Sequence, residues 1–205
     1  MTEDQYTNET FMFPVGHDHE LWVHDWGNKD AQTPIFFLHG GPGGQCKDRH
    51  KFPFNPKTQR VIFHDQRGSG QSLPVGELQH NTTQELTSDI TRVADRLGIK
   101  KFIITGASWG STLALYYAVI NPERVSAVVV GGIWLATKAE NAYMNGGGWR
   151  THFPDIWKWY TSTVPAEHQS DPSAYHFTQA LGNDPSKAAE SARIFGDMEA
   201  SLISL

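Results

Sequence analysis

Short apolar runs and one amphipathic stretch alternate along the first 135 residues. Thr10 to Gly27 reads as two strands, because TFMFPV and ELWVHDW carry aromatic and β-branched residues at strand length and break at Gly16 and His17. The spacing predicts an N-terminal hairpin. PIFFLHG (Pro34 to Gly40) and RVIFHDQ (Arg60 to Gln66) are apolar runs that end in glycine or polar residues, as strands buried on both faces do. From Thr82 the period changes: Leu86, Ile90, Val93 and Leu97 fall on one helical face, and Thr82 with Glu85 suits a capping box closed downstream by Gly98. KFIITGAS then predicts a buried strand running into the apolar helix SWGSTLALYYAVI, which Asn121 and Pro122 end before the buried run VSAVVVGGIW. Strand and helix alternating in this way predict an α/β fold with a mostly parallel, doubly wound sheet.

After Leu135 the text changes character. It becomes rich in Trp and Tyr, is broken at Gly146 to Gly148, Pro154, Pro165 and Pro172, and shows no further buried strand. Residues 1–135 therefore read as a core and 136–205 as a partial helical cap.

Composition narrows the partners. Hydrophobic residues make up 39% of the chain and charged residues 19%, enough apolar surface for a packed core. A net charge of -5 without a Lys/Arg run argues against nucleic acid. The apolar runs are shorter than the ~20 residues of a membrane-spanning helix, and nothing resembles a signal peptide, so the expected location is cytoplasmic with no membrane partner. The single cysteine, Cys46, has no internal disulfide partner and reads as a spectator next to the glycine-rich loop rather than a reactive thiol.

The densest chemical signal is Gly106-Ala107-Ser108-Trp109-Gly110, a G-x-S-x-G at a strand-to-helix junction. That is the context of a nucleophile elbow, in which glycines flank a serine held in a tight turn; the alternative is a chance match in an ordinary βα turn. His39-Gly40-Gly41-Pro42-Gly43-Gly44 follows a strand and suits an oxyanion hole, with one N–H from Gly41 and one from Trp109 after the nucleophile. Read as a phosphate cradle instead, it lacks the Lys-Ser/Thr ending of a P-loop and the spacing of a dinucleotide fingerprint. Asp65 and Arg67 suggest a buried ion pair ordering a loop rather than a catalytic pair. His17, His19 and His24 have no convincing third ligand between them, so no metal and no cofactor is expected.

Taken together, HGGPGG, DQRGSGQS (Asp65 to Ser72), NTT (Asn81 to Thr83), GASWGSTLAL, NPERVSAVVVGGIW and FPDIWKWY (Phe153 to Tyr160) resemble the proline iminopeptidases, in order and spacing, over nearly the whole chain. The resemblance implies an α/β-hydrolase fold and an exopeptidase that releases N-terminal proline by acyl transfer through Ser108. It also implies a peptide substrate whose amine is held by a cap glutamate. The family's W-x-x-W-E segment corresponds here to Phe195-Gly196-Asp197-Met198-Glu199, both tryptophans being replaced, which carries the amine-binding role to Glu199. The prolyl ring's aromatic pocket falls on Trp134 and Tyr143. Another hydrolase on the same scaffold, an esterase or amidase, would keep Ser108 without reading an amine.

In such folds the acid and the histidine of the triad follow the serine on loops after late strands. Past Ser108 the histidines are His152, His168 and His176, all in cap-like text. The expectation is an incomplete sheet lacking its late strands, and a chain that alone is inactive, whether an enzyme fragment or a non-catalytic product.

Overall fold

The computed structural model describes residues 5–203. The chain divides into two compact units, 1–135 and 136–205.

The first unit is built on a six-stranded sheet. Its strands are β1 (Tyr6–Gly16), β2 (His19–Asn28), β3 (Ile35–Leu38), β4 (Arg60–His64), β5 (Phe102–Ser108) and β6 (Val125–Ile133). The spatial order is β1-β2-β4-β3-β5-β6. The β1–β2 hairpin turns through Gly16, His17 and Asp18, all at positive φ, and β2 joins β4 antiparallel. From β4 onward the strands run parallel. Parallel neighbours need crossovers, and α1 (Thr83–Arg96) and α2 (Trp109–Ile120) supply those around β5.

Alternation along the central strands splits the core. Phe36, Leu38 and Ile62 pack with Ile90, Val93, Leu113 and Tyr117 of the two helices. Ile35, Val61 and Phe63 point the other way and join Trp26 and Cys46. The apolar text of β3 and β4 is thus consumed on both faces. The run Val125 to Ile133 does not follow suit. Among the described residues β6 pairs only with β5, and Val129 and Ile133 are 60% and 58% exposed, because a strand at the rim of a sheet has one side and much of its faces uncovered.

Two local expectations are corrected. Thr82 caps α1 by accepting the Glu85 N–H at 3.3 Å, but the Glu85 carboxylate turns to Arg67 (3.2 Å) and Arg92 (3.3 Å) instead of closing the box, since two guanidiniums compete better than one amide. Arg67 does not pair with Asp65. Its buried guanidinium forks onto Asp89 of α1 at 2.6 and 2.9 Å. Asp65 instead accepts the backbone N–H of Cys46 (2.6 Å) and of Gln71 (2.9 Å), as a short carboxylate surrounded by loop amides does.

The second unit holds α3 (Lys138–Asn145), α4 (Pro154–Ser162), α5 (Pro172–Ala180) and α6 (Pro185–Ile203), with no strand among its described residues. Trp149, Tyr160, Ile194 and Met198 form its core. His176 is buried there as a structural residue. It bonds Thr163 Oγ1 at 2.9 Å and Ser191 Oγ at 3.2 Å and stacks on Tyr160.

Candidate functional site

β5 ends at Ser108 and α2 begins at Trp109, with no residue between them. Ser108 takes φ 54° and ψ -128°, a left-handed conformation that costs a side-chain-bearing residue roughly 1–3 kcal/mol. Glycines make so tight a junction possible. A Cβ at Gly106 would lie 2.5 Å from the Gly110 carbonyl oxygen, and one at Gly110 would lie 2.2 Å from that of Leu38. Strand, helix and the end of β3 therefore touch through bare backbone. The Ser108 hydroxyl is exposed, and among the described residues none hydrogen-bonds to it.

The loop after β3 closes on this serine. A Cβ at Gly40 would come within 3.4 Å of Ser108 Cβ and 3.9 Å of its Oγ. Gly41 sits at φ 134°, where a Cβ would meet the backbone nitrogens of Gly43 and Gly44 at 2.6 and 2.7 Å, so only glycine fits. Gly41, Trp109 and Ser108 are thus gathered at one end of β3 and β5.

Gln66, which the sequence contains within DQRGSGQS but which no motif singles out, ties the two halves together. Its Nε2 donates to the His39 carbonyl at 2.9 Å, and its Oε1 accepts the Trp109 indole N–H at 2.9 Å. Its backbone N–H donates to His39 Nε2 at 2.9 Å, which leaves Nδ1 to carry the proton and donate to the Gly40 carbonyl, also at 2.9 Å. His39 is neutral in this role, and burial lowers its pKa. Its ring braces the loop and is not free to serve as a base. His64 is fully buried at the end of β4, and desolvation drives its pKa down to about 3. The thiol of Cys46, whose Sγ lies 3.4 Å from the His64 carbonyl, is pushed well up by burial, as an inert spectator requires.

Trp134 follows β6 into the same region. Its N–H donates to Ser111 Oγ at 3.1 Å, Ser111 Oγ donates to the Ser108 carbonyl at 2.6 Å, and its carbonyl accepts from Thr112. The rings of Trp134 and Trp109 stand 6.2 Å apart. Ser108, Gly41, Trp109 and Trp134 are brought together in the first unit.

Tyr143 and Glu199 belong to the second. Tyr143 is half-exposed on α3. Glu199 lies on α6 with no hydrogen bond or ion pair among the described residues, while its neighbour Asp197 is taken by Arg193 at 2.7 Å. Partial desolvation raises the Glu199 pKa although more than a third of the residue is exposed.

The three N-terminal histidines do not converge. His17 stacks on His80, His19 bonds the Gln79 carbonyl at 3.0 Å, and His24 bonds Asn8 at 2.8 Å. Among the described residues no group of three metal-ligating side chains forms. No described helix is long and apolar enough to cross a membrane.

A parallel sheet with an antiparallel hairpin at one edge, and a serine at positive φ between β5 and α2, defines a class of fold. The chain belongs to the α/β hydrolase fold family, which matches residues 33–179. Within that family its similarities are specific. It is 35% identical over 190 residues to a probable proline iminopeptidase of Leptolyngbya boryana, covering 92% of this chain and 58% of the relative. It is 37% identical over 192 residues to the proline iminopeptidase of Neisseria gonorrhoeae, covering 92% and 61%. The crystal structure of the proline iminopeptidase of Mycobacterium smegmatis shares the fold, with a TM-score of 0.61 at 22% identity over 93% of this chain and 68% of that one. The chain spans about 60% of the length of the curated relatives it matches.

Proposed function

We propose that this chain carries the nucleophile and oxyanion hole of a serine exopeptidase that releases proline from the N-terminus of peptides. The observation that carries the reading is the Ser108 elbow: a strained, exposed serine facing the Gly40–Gly44 loop. Similarity to proline iminopeptidases supports the choice of substrate.

In this reading Ser108 Oγ attacks the carbonyl carbon of the first peptide bond. The carbonyl oxygen takes up the negative charge and is met by the N–H groups of Gly41 and Trp109. Such donors are worth most when held in place beforehand, each contributing about 10²–10³ in turnover. The serine proton passes to a general base and then to the departing amine, and water hydrolyses the prolyl ester. Among the described residues no histidine is hydrogen-bonded to Ser108. The resemblance to the proline iminopeptidases assigns the prolyl ring to Trp134 and Tyr143 and the substrate's ammonium to Glu199. Its raised pKa means that this binding weakens at a higher pH than for an ordinary glutamate.

The test uses a protein of the full length of the relatives. A fluorophosphonate probe labels Ser108, and labelling that persists in Ser108→Ala refutes the nucleophile. Proline p-nitroanilide is cleaved while its N-acetyl form is not; equal cleavage of both makes the protein an amidase or esterase indifferent to the amine. Glu199→Gln lowers kcat/KM by ~1.5–3 kcal/mol, the range for hydrogen bonds to a charged group.

A further inference from the structure

Beside the nucleophile lies a second feature that the acyl-transfer reading leaves unused. A cavity of about 520 Å³ is floored by the glycine loop, Gly40 and Gly41 included, and walled by Lys47, Arg49 and His50. Its lining contains no carboxylate. That is notable in a chain of net charge -5, with 22 acidic residues against 17 Lys and Arg. Asp48, from the same short turn, is drawn off by Lys51 at 2.9 Å. Among the described residues neither Lys47 nor Arg49 makes an ion pair. Both lie close enough to His50 for their charge to lower its pKa, alongside burial, which is the larger cause, while the buried Asp65 carboxylate behind the lining acts in the opposite sense. Two exposed cations without an ion pair therefore share one concave surface with the backbone of the oxyanion loop.

We propose that this cavity binds a carboxylate on the leaving-group side of the peptide substrate. The inference rests on the exopeptidase reading and adds a direction to it. Once the scissile carbonyl oxygen is placed at Gly41 and Trp109, the substrate has two flanks. One carries the prolyl ammonium, which Lys47 and Arg49 repel. The other carries the rest of the peptide, whose only fixed charge is its terminal carboxylate. Charge alone thus assigns the basic cavity to the second flank. A dipeptide brings its terminal carboxylate within one residue of the cut bond, and an acidic side chain next to proline places a carboxylate at similar distance. The site favours short or acidic products, through Arg and Lys contacts that carboxylates take as charge-assisted hydrogen bonds.

The experiment compares kcat/KM for Pro-Gly, Pro-Gly amide and Pro-Glu amide in the full-length protein, with proline p-nitroanilide as a reference. Pro-Gly is expected to exceed its amide by about two- to fivefold, the upper range for an ion pair made by exposed cations. The ratio falls toward one in Lys47→Ala/Arg49→Ala and survives in Lys47→Arg/Arg49→Lys. Because the cations are exposed, the ratio also shrinks at high salt. Pro-Glu amide matching Pro-Gly identifies a side-chain carboxylate as an equal source, and a low value restricts the site to the terminal one. A ratio near one in the unmodified protein, or a preference that persists in the double alanine variant, overturns the proposal. If p-nitroanilide is hydrolysed in either case, the exopeptidase reading stands; if it is not, both fall together.

Discussion

Replacing His64 by leucine removes an ionisable group from the buried end of β4, and the effect should be read in the pH dependence of stability. His64 is 1% exposed, its Nδ1 has no hydrogen-bond partner, and its folded pKa is about 3 against an ordinary value of 6.5. The unfolded chain binds a proton near pH 6.5, while the folded one resists until about pH 3. Between those values the unfolded state holds more protons, so stability falls as pH falls. Each pH unit costs about 1.4 kcal/mol, hence about 2 kcal/mol by pH 5 and about 5 kcal/mol in full. Carboxylates titrate over the same range, but they are common to both proteins and cancel in the comparison. Guanidinium unfolding followed by tryptophan fluorescence, at pH 7.5 and pH 5, gives the two stabilities. The unmodified protein should lose about 2 kcal/mol more than His64→Leu on acidification. Whatever leucine costs or gains in packing at pH 7.5 does not enter that difference. Parallel losses in the two proteins would show that His64 is solvated or partnered in solution, and the account of β4 would be wrong.

Two further outcomes follow from the same scaffold. Gly110→Ala places a Cβ 2.2 Å from the Leu38 carbonyl oxygen, which belongs to rigid backbone, so the elbow shifts away from the oxyanion loop. Stability should drop by ~1–3 kcal/mol and the proposed proline release by about 10², the cost of an ångström-scale misplacement; unaltered activity with a folded protein would refute the packing argument. Arg67→Met removes the two buried bonds to Asp89 and leaves that carboxylate to the half-exposed Arg92 at 2.8 Å, so it should cost ~1–3 kcal/mol in denaturant unfolding, part of it recovered in Arg67→Met/Asp89→Leu. A single variant as stable as the parent would show that Arg92 and water suffice for Asp89.

Periodicity was sufficient for the strands and helices of the first unit because their apolar positions match the geometric period they adopt. Ser108 and the glycine loop were legible for a related reason: an elbow with no room for a Cβ leaves glycines at fixed offsets in the text. What was not legible depended on reach. Arg67 crosses to Asp89, 22 residues away, and nothing local distinguishes that partner from Asp65. Gln66 has no spacing that marks it, since a primary amide becomes informative only when its donor and acceptor are seen in use. The strand β6 was legible as a strand. A run such as VSAVVVGGI records what its side chains tolerate, not how many neighbours the strand has, which among the described residues is one. Glu199 and Tyr143 rest on the family resemblance, because exposed helix residues carry no pattern of their own.

The two bonds made by the Gln66 side chain have a mechanical consequence. One end holds the carbonyl at the start of the glycine loop and the other holds the indole of the residue after the nucleophile. The two proposed oxyanion donors come from segments almost seventy residues apart in the chain, yet a single amide side chain bonds to both segments. An enzyme built this way does not tune its donors one at a time: a change that moves the loop is transmitted to the elbow as through a crossbar. In the proposed exopeptidase, variation at Gln66 would therefore be expressed in the width of the hole, felt by every substrate alike, while variation at Trp134 or Lys47 would sort one substrate from another.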